Sequence, residues 1–295
     1  MPIQIEPVDP GRPGFAGAVS GIDLTRSLGA DEVQAIERGM DRFAVLVFRG
    51  QKLDDETQLV FSRNFGPLEQ ATGDLAQGEQ RRLSMEVNDI SNLAKDGGLM
   101  ARDDRRRLFG LGNMLWHSDS SFKAVPAKYS ILSARVIPRE GGNTEFADMR
   151  AAWDALDEAT RALVEPLICE HSQIFSRGLL GFEFDEEERR RFAPVRQRLV
   201  RTHPVTGRNS LFLSSHAGAI VGWPVPEARA LLRDLTEHAT QRRFVYVHVW
   251  QPDDLVMWDN RATMHRARRY DPAERRDLRR TTVASEGVTV EQLAA

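Results

Sequence analysis

The sequence predicts a mainly β protein with helices, built as a β-sandwich or a double-stranded jelly roll that carries helical decoration. Many short apolar segments rich in β-branched and aromatic residues are spread along the chain, and the helical patterns are concentrated early and in inserts. The 295 residues, of which 41% are hydrophobic, contain no internal repeat and no linker clear enough to divide them. We therefore expect a single domain over residues 1–295.

The first elements alternate between helix and strand. Residues 31–42 (DEVQAIERGMDR) place apolar side chains on one helical face, and AVLVFRG at residues 44–50 predicts a short buried strand. LDDETQLVFSRNFGP predicts a second helix, which begins near Asp54 or Asp55 and ends at the Gly-Pro pair. The chain therefore begins with a helix, a strand and a helix.

The later part of the chain is mostly strand-like. YSILSARVIP predicts a strand ended by proline, GGNTEFADM leads through a turn into another strand, and Asp148 is placed to cap the helix that follows. Residues 227–239 (EARALLRDLTEHA) predict a further helix. Other strands are predicted in the segments LVRTHP, SLFLSSH, RFVYVHVWQ, DLVMWD and RRTTVAS.

Two polar stretches are expected to form loops that cover a site. The first, near residues 68–109, contains KDGG and ARDDRRR. The second, near residues 176–200, is an insert that contains DEEERRRF, in which glutamate and arginine four residues apart support a solvent-exposed helix. Neither stretch has the apolar periodicity of a core element.

The composition argues against several classes of protein. With 40 basic and 43 acidic residues the formal charge is -3, so we expect no nucleic acid and no anionic membrane as partner. Cys169 is the single cysteine, which excludes an internal disulfide and a thiolate metal cluster and fits a reducing compartment. No secretion signal or membrane span is recognisable. We expect a cytoplasmic protein with a small-molecule partner, and a homo-oligomer is left open.

The stretch GNMLWHSDSSF places an imidazole and a carboxylate two residues apart. On an extended segment His117 and Asp119 would point to the same side. Burying an ionised aspartate is costly unless a cation or a donor meets it, and a metal ion would satisfy both groups. A His-x-Asp triplet is also frequent by chance on protein surfaces. A metal site therefore requires a third ligand elsewhere.

His265 is the best candidate for that ligand, because it follows the strand-like DLVMWDNRATM and is surrounded by polar groups. Two histidines and one carboxylate, without cysteine, form the ligand set of non-haem Fe(II) oxygenases. Zinc hydrolases use the same set, although their helical His-Glu-x-x-His motif is absent here. The other histidines lack a carboxylate at ligand spacing and are expected in core or loop positions: His171, His203, His216, His238 and His248.

Arginines follow His265 at strand spacing. If RRDLRRTTV is a strand, Arg276 and Arg280 lie on one face and point inward, while Arg279 lies on the other. A buried guanidinium requires an anion, and its planar fork matches a carboxylate. Arg276 and Arg280 therefore predict two bound anions, or else each pairs with an internal Asp or Glu.

Taken together, WHSDSSF, GGNTEFADMRAAWDAL, LVRTHPVTGR, LVMWDNRATMHRARRYD and RRDLRRTTV resemble the taurine dioxygenase family of 2-oxoglutarate-dependent Fe(II) enzymes. The likeness is greatest to its aryloxyalkanoate dioxygenase branch and covers nearly the whole chain, least clearly residues 68–109. It implies a double-stranded β-helix (jelly roll) core with a lid insert. It also implies Fe(II), 2-oxoglutarate as cosubstrate, and O2.

The same resemblance implies roles for individual residues. His117, Asp119 and His265 would bind the iron, and Thr144 and Arg276 would hold the far carboxylate of 2-oxoglutarate. Arg280 would hold the acidic group of the organic substrate. Asn113 would lie near the cosubstrate, while Ser176, Arg177 and His216 would border the substrate pocket, unless they serve packing or loop structure instead.

The implied reaction is hydroxylation of the carbon next to the ether oxygen of a substrate like 2,4-dichlorophenoxyacetate. The resulting hemiacetal would break down to a phenol and glyoxylate, or another 2-oxo acid, while 2-oxoglutarate gives succinate and CO2. FSRGLLG, HATQRRFVYVHVW and RRYD favour a carboxylate substrate over taurine or another alkylsulfonate. A zinc hydrolase and a non-catalytic carboxylate-binding protein are the alternatives from other classes.

Overall fold

The computed structural model describes residues 3–71, 75 and 81–292. The strands in this part of the chain are β1 (Gln4–Pro7), β2 (Gly17–Ser20), β3 (Val45–Phe48), β4 (Asn88–Ser91), β5 (Ala127–Val136), β6 (Thr144–Asp148), β7 (Ile168–His171), β8 (Val195–Arg198), β9 (Val200–Thr202), β10 (Asn209–Leu211), β11 (Ala217–Ile220), β12 (Val245–His248), β13 (Leu255–Asp259), β14 (Thr263–Ala267) and β15 (Asp277–Ala284). The helices are α1 (Ala30–Phe43), α2 (Asp55–Arg63), α3 (Arg105–Gly110), α4 (Met149–Asp154), α5 (Glu158–Val164), α6 (Gln173–Gly178), α7 (Glu186–Arg191) and α8 (Val225–Ala239).

Two sheets form the centre of the molecule. The large sheet has the order β1-β2-β3-β13-β5-β15-β4, and its pairs are antiparallel except for β2 with β3. The small sheet has the order β12-β6-β14 and is antiparallel. Strands β7, β8 and β11 form a further sheet, and β9 pairs with β10.

Alternation along the strands explains why the two sheets face each other. Val45 and Val47 of β3 belong to one buried cluster together with Phe146 of the small sheet, whereas Leu46 and Phe48 belong to another on the opposite face. Successive side chains of a strand point to opposite faces, so one strand contributes to two cores. Each fully buried side chain of this kind stabilises the fold by about 1.5–3 kcal/mol.

Helices cover the outer face of each sheet. On the large sheet, α1 contributes Ile36 and Met40 to the outer cluster, and α2 begins after Asp54, whose carboxylate accepts a hydrogen bond from the Thr57 amide. On the small sheet, the outer cluster contains side chains of α4 and α8. The Asp148 carboxylate caps α4, as predicted, by accepting from two backbone amides. The helices predicted from the sequence are therefore confirmed, and they enclose the two sheets.

The two polar stretches contain more structure than the sequence predicted. Within residues 68–109, strand β4 pairs with β15 at the edge of the large sheet, and α3 follows; residues 72–74 and 76–80 of this prediction lie outside the described residues. Within residues 176–200, α7 is solvent-exposed as predicted.

Phe109 of the first stretch contacts Phe182, Phe184 and Phe192 of the second, with ring centroids 5.5–6.2 Å apart. The two stretches thus pack against each other through an aromatic cluster.

Among the described residues, no helix combines the length and the apolar composition that a membrane crossing requires.

Candidate metal and anion site

His117 and His265 are brought together by a short backbone bridge. The amide of His117 donates to the carbonyl of His265 at 3.0 Å, and the reverse bond is 2.8 Å long. The imidazole centroids lie 4.2 Å apart. The sequence predicted a strand through His117 and Asp119; this was wrong, because only His117 is bridged and the chain then turns at Ser120, where φ is +53°. The two side chains nevertheless point to the same site.

Asp119 is held by hydrogen bonds to its backbone and its carboxylate. Its amide donates to Oδ1 of Asn260 at 3.0 Å, and Oδ2 accepts from the Ser130 hydroxyl at 2.7 Å. Asn260 also donates to the Ser130 oxygen at 2.9 Å and accepts from the Trp258 indole at 3.1 Å. The sequence did not identify Ser130 or Asn260, because they lie on separate elements at no ligand spacing. These residues fix the carboxylate before any metal binds.

The three predicted ligands converge with metal-binding geometry. Nε2 of His117 lies 3.8 Å from Oδ1 of Asp119, and Nε2 of His265 lies 3.6 Å from Oδ2. One ligand atom of each residue lies within 4.8 Å of the others, and all three side chains are buried. Two imidazoles and one carboxylate in this arrangement suit a divalent transition metal such as Fe(II).

The protonation state of the histidines also suits a metal. Nδ1 of His117 lies 2.7 Å from the carbonyl of Leu115, so it must carry the proton and Nε2 keeps its lone pair. Burial lowers the pKa of His117 to about 4, an effect that the Asp119 charge only partly opposes. Burial likewise holds the pKa of His265 well below its usual range. Both imidazoles are therefore neutral and able to coordinate a cation near pH 7.

Arg280 lies directly beside the metal ligands. Its Nη1 donates to Oδ1 of Asp119 at 2.5 Å. Burial by itself raises the pKa of Asp119, but the positive charge of Arg280 is the largest of the effects that outweigh it, and the pKa falls to about 2. The inward orientation predicted for Arg280 is confirmed, and so is the outward one of Arg279, which bonds to Asp55. The sequence left open whether Arg280 binds an external anion or pairs with an internal carboxylate. In the structure it pairs with Asp119.

Arg276 has no such carboxylate partner in the part of the chain that the structure describes. It is buried, and its guanidinium donates only to the carbonyls of Ile90 at 3.2 Å and Gly142 at 3.5 Å among the described residues. Its Nε is buried without a hydrogen-bond partner there. Burial lowers the pKa of Arg276, since the charged form lacks an anion. This is the environment expected of a guanidinium that binds an anionic ligand.

One cavity joins the metal ligands to the arginines. It is lined by Ile90, Asn113, His117, Leu132, Thr144, Trp258, His265, Ala267, Arg276 and Arg280. Asn113 reaches it from the short helical turn at residues 111–114, and Thr144 from the first position of β6. The structure therefore brings together six of the predicted site residues: Asn113, His117, Thr144, His265, Arg276 and Arg280.

Ser176 and His216 lie behind His117, outside that lining. The His216 ring is 6.0 Å from the His117 ring and 5.0 Å from the Phe122 ring. Its Nδ1 is 2.9 Å from the Ser176 hydroxyl, which also accepts from Nη1 of Arg177 at 3.0 Å. The hydroxyl donates its own proton to the Gln173 carbonyl at 3.1 Å, which leaves its second acceptor site for Nδ1–H of His216.

A family model described as "Taurine catabolism dioxygenase TauD, TfdA family" matches residues 4–282. The alpha-ketoglutarate-dependent 2,4-dichlorophenoxyacetate dioxygenase of Cupriavidus pinatubonensis is 50% identical over 281 residues, which cover 95% of this chain and 98% of that protein. The (S)-phenoxypropionate/alpha-ketoglutarate-dioxygenase of Sphingobium herbicidovorans is 37% identical over 289 residues, and 95% of each chain is covered.

The solved structure of AAD-2 in complex with Mn(II) and N-oxalylglycine is similar over the same extent. It superposes with a TM-score of 0.95 at 56% sequence identity, and the match covers 98% of this chain and 100% of that one. The likeness to known proteins thus includes every segment that lines the cavity.

Proposed function

Because the chain belongs to the taurine catabolism dioxygenase TauD, TfdA family and is thereby a 2-oxoglutarate-dependent dioxygenase, we propose that it hydroxylates an aryloxyalkanoate. The carbon attacked is the one that lies between the ether oxygen and the carboxylate. The hemiacetal formed there breaks down to a phenol and a 2-oxo acid, which is glyoxylate when the substrate is an aryloxyacetate. The identity to two aryloxyalkanoate enzymes supports this substrate class over taurine.

The observation that carries the proposal is that both ligand histidines of the metal triad and two guanidinium groups line a single cavity. A hydrolase that used the triad to activate water would have no need of two arginines that line its site. A protein that only binds carboxylates would have no need of the triad. A dioxygenase that takes a dianionic cosubstrate and a monoanionic substrate requires both.

The triad fits iron on the chemistry of its donors. His117, Asp119 and His265 would hold Fe(II), leaving the positions that 2-oxoglutarate and O2 require. When bound, the iron couples the oxidative decarboxylation of 2-oxoglutarate by O2 to hydroxylation of a C–H bond. Ser130 and Asn260 hold the carboxylate in place for this purpose.

Arg276 and Thr144 would bind the far carboxylate of 2-oxoglutarate. Arg276 lacks a carboxylate partner in the described part of the chain, and the Thr144 hydroxyl lines the same cavity. A guanidinium and a hydroxyl together supply donors for both oxygens of a carboxylate. Asn113, on the same wall, would contact the cosubstrate or the substrate beside it.

Arg280 would hold the carboxylate of the organic substrate next to the iron. Its bond to Asp119 uses Nη1, and Nε is buried without a partner within the described residues. Nε and Nη2 form one edge of the guanidinium, which matches a carboxylate in two parallel hydrogen bonds. Held in this way, the carbon between the carboxylate and the ether oxygen lies near the metal, so catalysis rests chiefly on proximity.

The aromatic ring of the substrate would extend beyond the cavity, past His117, toward Phe122 and His216. Their rings meet edge to face 5.0 Å apart, and Ser176 holds Nδ1 of His216. The packed stretches around residues 68–109 and 176–200 would cover this side of the site. Arg177 connects these two stretches to His216. Its guanidinium lies over the Phe109 ring at 4.6 Å and also donates to Ser176, which holds His216.

A cytoplasmic location is part of the same proposal. The single cysteine, Cys169, is buried, and burial raises the pKa of its thiol to about 12. It therefore stays a protonated structural side chain, as suits a protein of a reducing compartment. Formation of a homo-oligomer stays a prediction.

The proposal is tested by anaerobic loading with Fe(II) and 2-oxoglutarate, followed by O2, with phenoxyacetate, a 2-aryloxypropionate or taurine present. Phenol release coupled to succinate formation is the expected result. Sulfite release from taurine would move the protein to the sulfonate branch of the family. Failure of all three compounds to stimulate succinate formation would contradict the proposed substrate class.

A further inference from the structure

Trp250 does not line the cavity, but it contacts Thr144, one of the lining residues proposed to bind 2-oxoglutarate. Its indole Nε1 donates to Oγ1 of Thr144 at 3.1 Å, and both side chains are buried. Thr144 Oγ1 has no second hydrogen-bond partner anywhere in the described ranges. Among the described residues the hydroxyl therefore has one hydrogen-bond partner, and that partner can only donate.

This contact fixes the direction of the threonine proton. A hydroxyl has one donor and two acceptor sites, whereas an indole nitrogen is a donor only. Trp250 thus occupies an acceptor site of Thr144 and leaves its proton free for the cavity. Arg276, on the same cavity, is likewise a donor without an acceptor capacity. A ligand between Thr144 and Arg276 must therefore supply acceptor oxygens, as a carboxylate does.

The fold determines where the indole lies. His248 is the cross-strand partner of Thr144, and Trp250 follows two residues later, just beyond the end of β12. The His248 ring meets the Trp250 ring edge to face at 4.5 Å. His248 in turn is held by the Tyr246 hydroxyl at 3.0 Å and by Asp254 at 3.1 Å. The indole thus packs against a histidine ring that is itself held by two hydrogen bonds.

Asp254 anchors this bracing group to the large sheet. Its carboxylate also accepts from the Gln251 amide at 2.8 Å and is paired with Arg49, which directly follows β3. The arrangement of Trp250 therefore depends on both sheets, and Trp250 itself belongs to the buried cluster between them. A buried indole held from both sides loses little further freedom when a ligand binds.

We propose that Trp250 is a positioning residue for 2-oxoglutarate, which orients the Thr144 hydroxyl as a donor to the far carboxylate of the cosubstrate. The inference rests on the proposed binding of that carboxylate by Thr144 and Arg276. Trp250 itself does not touch the ligand. Its effect is to keep Thr144 in the orientation that selects an acceptor over a donor.

The test is calorimetric titration of the Mn(II)-loaded protein with N-oxalylglycine, which carries the oxalyl and terminal carboxylate groups of 2-oxoglutarate and does not react. Trp250→Phe keeps the ring and removes the N–H, and we expect about 3- to 10-fold weaker binding, the value of one net hydrogen bond. Trp153→Phe is the matched control, because Trp153 is equally buried in a cluster remote from the cavity. It should bind as the wild type does.

A double-mutant cycle separates positioning from packing. In a Thr144→Val background, Trp250→Phe should cause no further loss of N-oxalylglycine affinity, because the hydroxyl that it orients is gone. In a Thr144→Ser background, which keeps the hydroxyl, the loss should reappear. Equal losses in all three backgrounds would assign Trp250 a packing role and overturn the inference. So would a wild-type affinity in Trp250→Phe.

Failure of the inference can be told apart from failure of the proposed function. If the wild type binds N-oxalylglycine and Trp250→Phe binds equally well, only the role of Trp250 is wrong. If the wild type does not bind N-oxalylglycine with Mn(II) present, the assignment of the anion site is wrong and the role of Trp250 falls with it. Thermal unfolding of each variant, which should match that of Trp153→Phe, checks that the fold is kept.

Discussion

Nη1 of Arg280 lies 2.5 Å from Oδ1 of Asp119, so the arginine proposed to hold the substrate is ion-paired with a proposed iron ligand. The substrate anion would bind Arg280 and the metal would bind Asp119, so this ion pair connects the two sites. A substrate carboxylate that binds Arg280 draws positive charge away from Asp119, which strengthens that carboxylate as a ligand. Occupation of the substrate site and the properties of the metal are thus linked through a single contact.

For Arg280→Ala, we expect the KM for the aryloxyalkanoate to rise by roughly 10- to 100-fold, since hydrogen bonds to charged groups contribute about 1.5–3 kcal/mol. The affinity for Mn(II) should rise at the same time, because a cation that competes for Asp119 is lost. Steady-state kinetics and metal titration measure the two effects. Arg279→Ala, on the opposite face of the same strand, is the control and should change neither. A lower metal affinity in Arg280→Ala would contradict this account of the ion pair.

Arg276→Ala should have the complementary effect. Because Arg276 is buried and has no carboxylate partner among the described residues, its loss should raise the KM for 2-oxoglutarate by roughly 10- to 100-fold on the same estimate for a charged hydrogen bond. The KM for the aryloxyalkanoate should change much less. Varying each substrate at saturation of the other separates the two constants. An equal loss for both substrates in Arg276→Ala would refute the division of roles between Arg276 and Arg280.

Ser130→Ala should weaken metal binding although Ser130 touches no metal. Its hydroxyl donates to Oδ2 of Asp119, and loss of such a supporting bond typically costs 10- to 100-fold in metal affinity. Competition with a chelator of known affinity measures the change. Ser133→Ala is a suitable control, since Ser133 lies on the same strand, is also buried and bonds to Gln58 instead. Unchanged affinity in Ser130→Ala would show that the contacts with Asn260 and Arg280 are enough to fix Asp119.

Metal binding should release almost no protons at pH 7. Burial lowers the pKa of His117 to about 4 and that of His265 well below its usual range, so the metal displaces no proton from either. Two histidines of ordinary pKa would together release roughly half a proton at this pH. Because the folded-state pKa values are depressed, metal affinity should fall only when the pH approaches the acid range near 4. Calorimetry in two buffers of different ionisation enthalpy measures proton release. A release near half a proton at pH 7 would contradict the lowered pKa values.

Much of the fold could be predicted from the sequence, because apolar runs and capping residues are local signals. The continuous apolar run of β3 and the acceptor at Asp54 predict the strand and the start of α2, and both are confirmed. The jelly-roll class is confirmed by the likeness to AAD-2. Strand β4 was missed because Asn88–Ser91 lacks an apolar run and pairs at the sheet edge with distant β15.

The candidate site could be predicted where residue type and spacing suffice. Two histidines and a carboxylate are recognisable along the chain, as are two arginines four residues apart on one strand face. The pairing of Arg280 with Asp119 was left open, since nothing local relates residues 161 positions apart. Ser130, Asn260 and Trp250 carry no spacing signal at all. Their roles follow only from contacts that the folded chain creates.

The most direct test of the account is a turnover of phenoxyacetate by the Fe(II) enzyme under ¹⁸O₂, with the label measured in succinate and in phenol. Hydroxylation of the carbon beside the ether oxygen predicts one ¹⁸O atom in each succinate, and an equal amount of phenol that keeps its unlabelled ether oxygen. Labelled phenol, or phenol formed without succinate, would contradict the proposed reaction.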